Sequence, residues 1–321
     1  MNTVPHLSVV IPVYNEEEGL VALFARLYPA LDALATMGKS YEVIFVNDGS
    51  RDRSAAILRE QFQRRPEVTR VVLFNGNYGQ HMAILAGFAN CRGERIVTLD
   101  ADLQNPPEEI AKLLAKMDEG YDYVGGVRHN RQDSAFRRIA SRAMNNLRER
   151  ITSIRMTDQG CMLRAYSRGV VDALNACREA TTFVPALAYA FALNPTEVEV
   201  AHEERAVGES KYSLYGLVQL NFDLMTGFSI KPLQIFSLLG MFVALASVFV
   251  YIIVIIQRWF AAETLSEVFF AVWDRDILEF FLIGLVLFGM GLLGEYIGRI
   301  FEQVRQRPRY LIQVILEKKD E

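Results

Sequence analysis

The sequence predicts an α/β domain with a mostly parallel, Rossmann-like sheet, followed by two transmembrane helices. Two patterns carry that prediction. In the first half, short continuous apolar runs alternate with amphipathic helical stretches, as in a parallel sheet covered on both faces. After about residue 230 the apolar residues run on over lengths that soluble helices rarely reach.

The first run, Leu7 to Val13, is rich in β-branched residues and stops at the polar turn Tyr14-Asn15-Glu16-Glu17-Glu18. A helical pattern follows from Gly19 to about Met37. Tyr41 to Val46 is a second strand, closed by Asn47-Asp48-Gly49-Ser50 and a further helix. Val68 to Leu73 is a third, followed by a helix from Gln80 to Asn90. Arg95 to Leu99 is a fourth and ends at Asp100. Ligands of such sheets bind beyond the carboxyl ends of the strands. Here those ends carry Pro12, Tyr14, Asn15 and Glu16, then Asn47 and Asp48, then Asn75 to Asn77, then Asp100 and Asp102. One such cluster reads equally well as a solvated turn; four in series read as a site.

Several function classes drop out. The first helix is not opened by GxGxxG, which argues against a dinucleotide oxidoreductase, and no GxxxxGK[ST] marks a P-loop kinase. A net charge of −4 supplies no bulk basic field for nucleic acid. The charge signal is local: Arg128 to Arg155 holds eight arginines against two acids. Phe136, Ile139, Ala140, Met144 and Leu147 recur there at helical spacing, so 134–151 reads as a basic amphipathic helix in a membrane interface. A solvated basic face is the alternative.

Leu233 to Gln257 contains no charged residue over 25 positions. As a helix it is roughly 37 Å long, enough for a hydrocarbon core of about 30 Å. Ile277 to Gly298 is interrupted by Glu279 and Glu295 and alone would also suit a core helix. After a full span, it returns the chain. Gly284, Gly289, Gly291, Gly294 and Gly298 suit close packing of helices in lipid. Two arginines lie between the spans, whereas the tail carries Arg299, Arg305, Arg307, Arg309, Lys318 and Lys319. That asymmetry places both termini in the cytoplasm. The start of the chain lacks a signal-peptide pattern. Three cysteines without CxxC spacing suit thiols in a reducing compartment. The expected organisation is a catalytic domain over 1–208, a lid loop and interfacial helix over 209–231, two spans over 232–298 and a tail over 299–321. Arg309 to Leu316 reads as a strand able to add to another subunit.

Asp100 and Asp102, spaced i, i+2 just past a strand, can reach one hard cation, with Gln104 supplying a neutral oxygen. Mg²⁺ favours oxygen ligands and shares its shell with substrate phosphates, so this motif suits a Mg²⁺ or Mn²⁺ site holding a diphosphate. A cap for the helix after Pro106 is the structural alternative. The four histidines show no zinc-ligand spacing.

IPVYNEEEGL, VNDGSRD and LDADLQNPPE, in that order, resemble the polyprenyl-phosphate glycosyltransferases of the GT-A fold within glycosyltransferase family two. The likeness continues through the two spans. NYGQHMAILAGF, DQGCMLRAYSR, GESKYS and GMGLLGEYIGRIFEQVRQRPRY are similar to the branch that transfers 4-deoxy-4-formamido-L-arabinose to undecaprenyl phosphate in lipid A modification. The resemblance implies that Pro12, Tyr14 and Glu16 hold the uridine, with Asp48 and Gln80 at the base and Asp100 near the ribose. Asp102 and Gln104 would ligate the metal. Arg128, Arg131 and Arg137 would lie near phosphates, a role that suits guanidinium forks. Arg205, Ser210 and Lys211 would touch the diphosphate or acceptor phosphate from a loop closing over the donor. Asp158 would orient the acceptor or the sugar. The resemblance further implies a bacterial inner-membrane protein with a UDP-sugar donor, undecaprenyl phosphate as acceptor and a homotetrameric assembly. Transfer of glucose or mannose, and a non-catalytic scaffold binding a nucleotide sugar, are the competing readings.

Overall fold

The four apolar runs at the start of the chain become the four parallel strands at the centre of one sheet. The computed structural model describes residues 4–128, 156–177, 183–203, 230–260, 275–305 and 307–318. They divide into two compact units, one of 1–142, 154–212 and 307–321, the other of 143–153 and 213–306.

The first unit holds β1 (Leu7–Val13), β2 (Tyr41–Asn47), β3 (Thr69–Phe74), β4 (Arg95–Thr98), β5 (Tyr123–Arg128), β6 (Arg164–Ser167), β7 (Pro195–Val200) and β8 (Ile312–Leu316). Their order across the sheet is β7-β5-β6-β4-β1-β2-β3-β8. Strands β4, β1, β2 and β3 are mutually parallel, with Leu7 opposite both Tyr41 and Arg95. β6 runs antiparallel to β4 and β5, and β7 runs parallel to β5. The result is a mixed, GT-A-like α/β sheet. The sequence reading located the parallel strands within a residue or two but identified none of β5, β6 or β7. The chain steps outward from β1 through β2 to β3, then returns to pair β4 on the other side of β1. That reversal opens a crevice between the carboxyl ends of β1 and β4.

Helices α1 (Leu20–Thr36), α2 (Ser54–Arg64), α3 (Gln80–Asn90), α4 (Ile110–Asp118), α5 (Arg168–Ala176) and α6 (Val184–Phe191) belong to the same unit. α1 buries Leu20, Leu23, Leu27 and Leu31, a stripe at helical spacing that packs with Val9, Ile11 and Phe45 in the main core. α3 lies very close to β1: a Cβ on Gly87 would stand 2.2 Å from Val10 Cγ1, so only glycine fits.

The expected tail strand forms: β8 pairs antiparallel with β3 of its own chain, Val72 facing Ile315, and is the outermost strand of the sheet. Val314 and Leu316 pack against the main core, which gives the strand a reason to return. The cysteines match the thiol reading, since none is in a disulfide.

The second unit contains α7 (Lys231–Phe260) and α8 (Arg275–Val304), each 30 residues long. Within α8, Leu282–Phe301 is long and apolar enough to cross a membrane, with a mean hydropathy of 1.5. Among the described residues of α7 only the shorter stretch Lys231–Val243 is apolar in that sense. Glu295, an expected blemish in the span, is paired with Arg299 one turn on at 2.8 Å. The glycine run does less than its spacing suggests. Only Gly289 admits a close neighbour, with Phe236 Cε1 2.3 Å from where its Cβ would stand; Gly284, Gly291, Gly294 and Gly298 face open space. The two expected interfacial helices, 134–151 and 214–230, lie outside the described residues except for Ile230.

Candidate active site

Two residues mark the crevice by their backbones. Asn15, after β1, has φ 53° and Leu103, after β4, has φ 60°. Left-handed backbone is tolerable for asparagine but costly for leucine, and such strain collects where surroundings over-determine a functional turn.

The turn after β1 is laced to the turn after β2. Asn15 N–H donates to Ser50 Oγ at 3.0 Å, Glu16 N–H to Ser54 Oγ at 3.0 Å, and Glu17 N–H to Asp52 Oδ2 at 3.1 Å. In return, Arg51 N–H donates to Asn15 Oδ1 at 2.9 Å. The Glu16 carbonyl accepts from Gly19 and Leu20, starting α1. Tyr14, 43 % exposed, is left as an open aromatic face at the strand end, while Pro12 is half-buried within β1. Ser50, Asp52 and Ser54 are functional supports that the sequence reading missed, although the polar run SRDRS was their signal.

Asp48 is buried and fully occupied in holding the next loop. It accepts from Tyr78 N–H at 2.7 Å, Gly79 N–H at 2.8 Å and Asn77 Nδ2 at 3.1 Å. Burial pushes its carboxyl up, and the Tyr78 and Gly79 amides partly offset that. Gly49 allows the approach, since with φ 64° its Cβ would meet the Gly76 carbonyl carbon at 2.3 Å. Neighbouring Asn47 accepts from Ser50 Oγ at 2.5 Å.

Asp100 and Asp102 stand on the other side of the crevice. Gln80, the first residue of α3, donates Nε2 to Asp100 Oδ1 at 2.7 Å. The Asp100 carboxyl is pushed up to about 7, first by burial and then by the Asp102 charge, with Glu16 adding and Arg128 opposing. Four expected site residues, Glu16, Gln80, Asp100 and Asp102, are therefore drawn into one electrostatic neighbourhood. Asp102 Oδ1 also accepts from Gln104 N–H at 3.1 Å, closing an Asx turn. The alternative role as a helix cap does not materialise, because the short helical turn Pro107–Glu109 is capped by Pro106 without a side chain. Among the described residues no three His, Cys, Asp or Glu side chains gather tightly enough to hold a metal alone. Two crowded carboxylates and an amide residue fit an ion that completes its shell from a ligand's phosphates. The fit is a desolvated carboxyl beside a second acid: a cation there would offset the Asp102 charge that, after burial, raises Asp100.

Arg128 is held in place by a carboxylate. Its Nε and Nη2 grip Asp158 at 2.6 and 2.8 Å, and Gly160 N–H donates to Asp158 Oδ1 at 3.1 Å. Asp158 is buried and Arg128 half-buried, and the carboxylate holds the guanidinium further toward its charged form. Behind it, fully buried Arg164 donates to the carbonyls of Cys161 and Asp158, each at 2.7 Å, and to Tyr123 Oη. A lone arginine after the apolar Cys161-Met162-Leu163 was a readable sign of such a buried anchor. His81 packs edge-on to Phe183 and is held down to about 4, first by burial and then by Arg164. Arg131, Arg137, Arg205, Ser210 and Lys211 lie outside the described residues.

Residues 8–174 match the family model described as Glycosyl transferase family 2. Among solved structures, the chain is similar to glucosyl-3-phosphoglycerate synthase from Mycobacterium tuberculosis in complex with Mn²⁺, uridine diphosphate and phosphoglyceric acid. That likeness has 17% identity over 69% of this chain and 76% of the other, with a TM-score of 0.47. It is also similar to a mannosyltransferase from Pyrobaculum calidifontis in complex with GDP-Man and Mn²⁺, at 18% identity over 66% and 59%, TM-score 0.45. S. aureus TarS 1-349 follows at 16% identity over 60% and 57%, TM-score 0.42. The family match spans the crevice, both acid turns and the Arg128–Asp158 pair, and it displaces the non-catalytic scaffold reading: the chain belongs to glycosyl transferase family 2 and is a glycosyltransferase.

Proposed function

We propose that the chain transfers a sugar, with inversion, from a UDP donor to undecaprenyl phosphate at the cytoplasmic face of a bacterial inner membrane. In this reading the sugar is 4-deoxy-4-formamido-L-arabinose, and the product feeds lipid A modification and polymyxin resistance. The observation that carries the reading is the crowded pair Asp100 and Asp102 at the chain reversal, beside Gln80 and within the field of Glu16 and Arg128.

Tyr14 offers a face for the uracil, and the Asp48-braced loop leads into Gln80 below it. Asp100, Asp102 and Gln104 would hold Mg²⁺ or Mn²⁺, which supplies Lewis-acid neutralisation of the leaving diphosphate. The lipid phosphate oxygen attacks the anomeric carbon, the bond to the diphosphate oxygen breaks, and UDP leaves with the electron pair. The attacking oxygen is already anionic, so no strong base is required. Asp158, gripped in both prongs by Arg128, is suited to fixing that guanidinium near the developing charge rather than to taking up a proton. Arg131, Arg137, Arg205, Ser210 and Lys211 would gather the two phosphates, a role carried over from the family likeness.

A lipid acceptor is supported by the apolar, outward-facing Leu282–Phe301, of which 6% is buried. A second span over 233–257 belongs to the same reading: residues 307–321 group with the sheet unit, and an even number of crossings would bring them back to it. Both ends then lie on the catalytic side. Homotetrameric assembly belongs to the same reading.

The test is a donor screen with purified full-length protein, undecaprenyl phosphate and Mn²⁺, reading lipid-linked sugar. Turnover with the UDP-formamidoarabinose donor above UDP-glucose and GDP-mannose supports the full reading. Faster transfer of glucose or mannose would leave the chemistry and replace the sugar.

A further inference from the structure

The C-terminal strand reaches the nucleotide side of the crevice through an aromatic ladder. Tyr310, just before β8, stacks on Phe74 at the end of β3, with ring centroids 5.0 Å apart and planes inclined by 13°. Phe74 in turn meets Tyr78 edge-on at 5.6 Å. Beside the ladder, Asn75 N–H donates to the Leu311 carbonyl at 3.2 Å, and Tyr78 Oη donates to Asn75 Oδ1 at 2.7 Å. Two ends secure the strap. Arg309 donates to the Cys177 carbonyl, and Glu317 pairs with Arg92 at 3.0 Å and Arg70 at 3.3 Å.

What the strap holds is the 75–79 loop. Its Tyr78 and Gly79 amides grip Asp48, and the next residue, Gln80, grips Asp100. Gly79, at φ 94°, sets the bend that starts α3. A loop of this length, bent through a left-handed glycine, has other conformations open to it without external packing. We propose that Tyr310 and Leu311 are positioning residues for the nucleotide-diphosphate site, holding the 75–80 segment in the arrangement that presents Gln80 and the Asp48-bound turn to the donor. The proposal rests on the donor-site reading above. It makes residues more than two hundred positions away in sequence part of the site's support.

Binding falls in proportion to the fraction of molecules with a competent loop. The full-length protein is titrated with UDP and Mn²⁺ by calorimetry, alongside Tyr310→Ala, Tyr310→Phe and, as a control elsewhere on β8, Ile315→Ala. Thermal midpoints are recorded for all four. The expected result is a UDP Kd weakened about tenfold in Tyr310→Ala, restored to within about twofold by Tyr310→Phe, which keeps the stacked ring, and unchanged in Ile315→Ala. An unaltered Kd in Tyr310→Ala overturns the proposal, as does an equal loss in Tyr310→Phe or in Ile315→Ala, which would mark a general effect of the strand. Failure of the underlying donor-site reading shows differently, as wild-type protein that binds no UDP, and it removes both.

Discussion

The turn after β2 and the turn after β4 each present a carboxylate to the same crevice, yet they are built for opposite ends. Asp48 is saturated by the protein: two amides and an asparagine side chain meet it at 2.7–3.1 Å. Asp100 receives a side-chain hydrogen bond from Gln80 and faces a second acid two residues on. The first turn is a closed joint. The second desolvates a carboxyl and sets another acid beside it, an arrangement a cation can relieve. Strand-end polarity alone therefore does not say which residues bind and which brace.

The comparison breaks most sharply at Asp102. Asp102→Asn keeps shape and removes charge, so transfer should fall by about 10³-fold or more while the thermal midpoint stays near the wild-type value. Near-normal turnover in saturating Mn²⁺ would remove the metal role. Asp158→Ala should act on folding instead, leaving half-buried Arg128 without its acceptor at a cost of about 2–3 kcal/mol. Urea unfolding of the catalytic unit reads that loss, and an unchanged midpoint would contradict a stabilising role for the pair. Asp48→Ala should cost about 2–3 kcal/mol by leaving the Tyr78 and Gly79 amides without their acceptor. If Asp48→Ala kept full stability and lost only activity, Asp48 would be a ligand rather than a brace.

The smallest expected effect comes from His81, held at about 4 against 6.5 in the unfolded chain. A histidine whose folded value is lowered contributes its full stability above about 6.5 and loses it as pH falls toward 4. The loss is on the order of 2 kcal/mol after allowing for partial exposure. His81→Phe should flatten the acid limb of the midpoint-versus-pH curve, and an identical limb in both proteins would assign it to other groups.

The sequence made the parallel strands legible because each is a continuous apolar run buried on both faces. Val9, Val10 and Ile11 are completely buried, as are Val43 to Val46. β5 was harder for a physical reason. Tyr123–Arg128 contains two glycines, which weaken its strand pattern, whereas Pro195–Val200 carries a short period-2 alternation behind a leading proline that was a readable signal and was passed over. The paired acids were legible through their spacing after a strand. The bracing role of Asp48 was not, because it depends on amides 30 residues away whose direction is set by Gly79. The tail's strand character was visible in its composition, but its partner was not, since local pattern carries no information about which edge a strand will find.

The apolar residues of the two units sharpen the same lesson. Ile11 and Phe45 are fully buried in the sheet core, whereas Leu287 and Phe288 on α8 are each 62% exposed. Similar side chains thus form a water-excluding core in one unit and an exposed apolar surface in the other.

The most direct test is an anomalous difference map of the protein crystallised with UDP and Mn²⁺. The account predicts one strong manganese peak between the Asp102 carboxylate and the diphosphate, with the uracil over Tyr14 and beside the 75–80 segment. A nucleotide bound away from Asp100 and Asp102, or a manganese peak on other side chains, would contradict it.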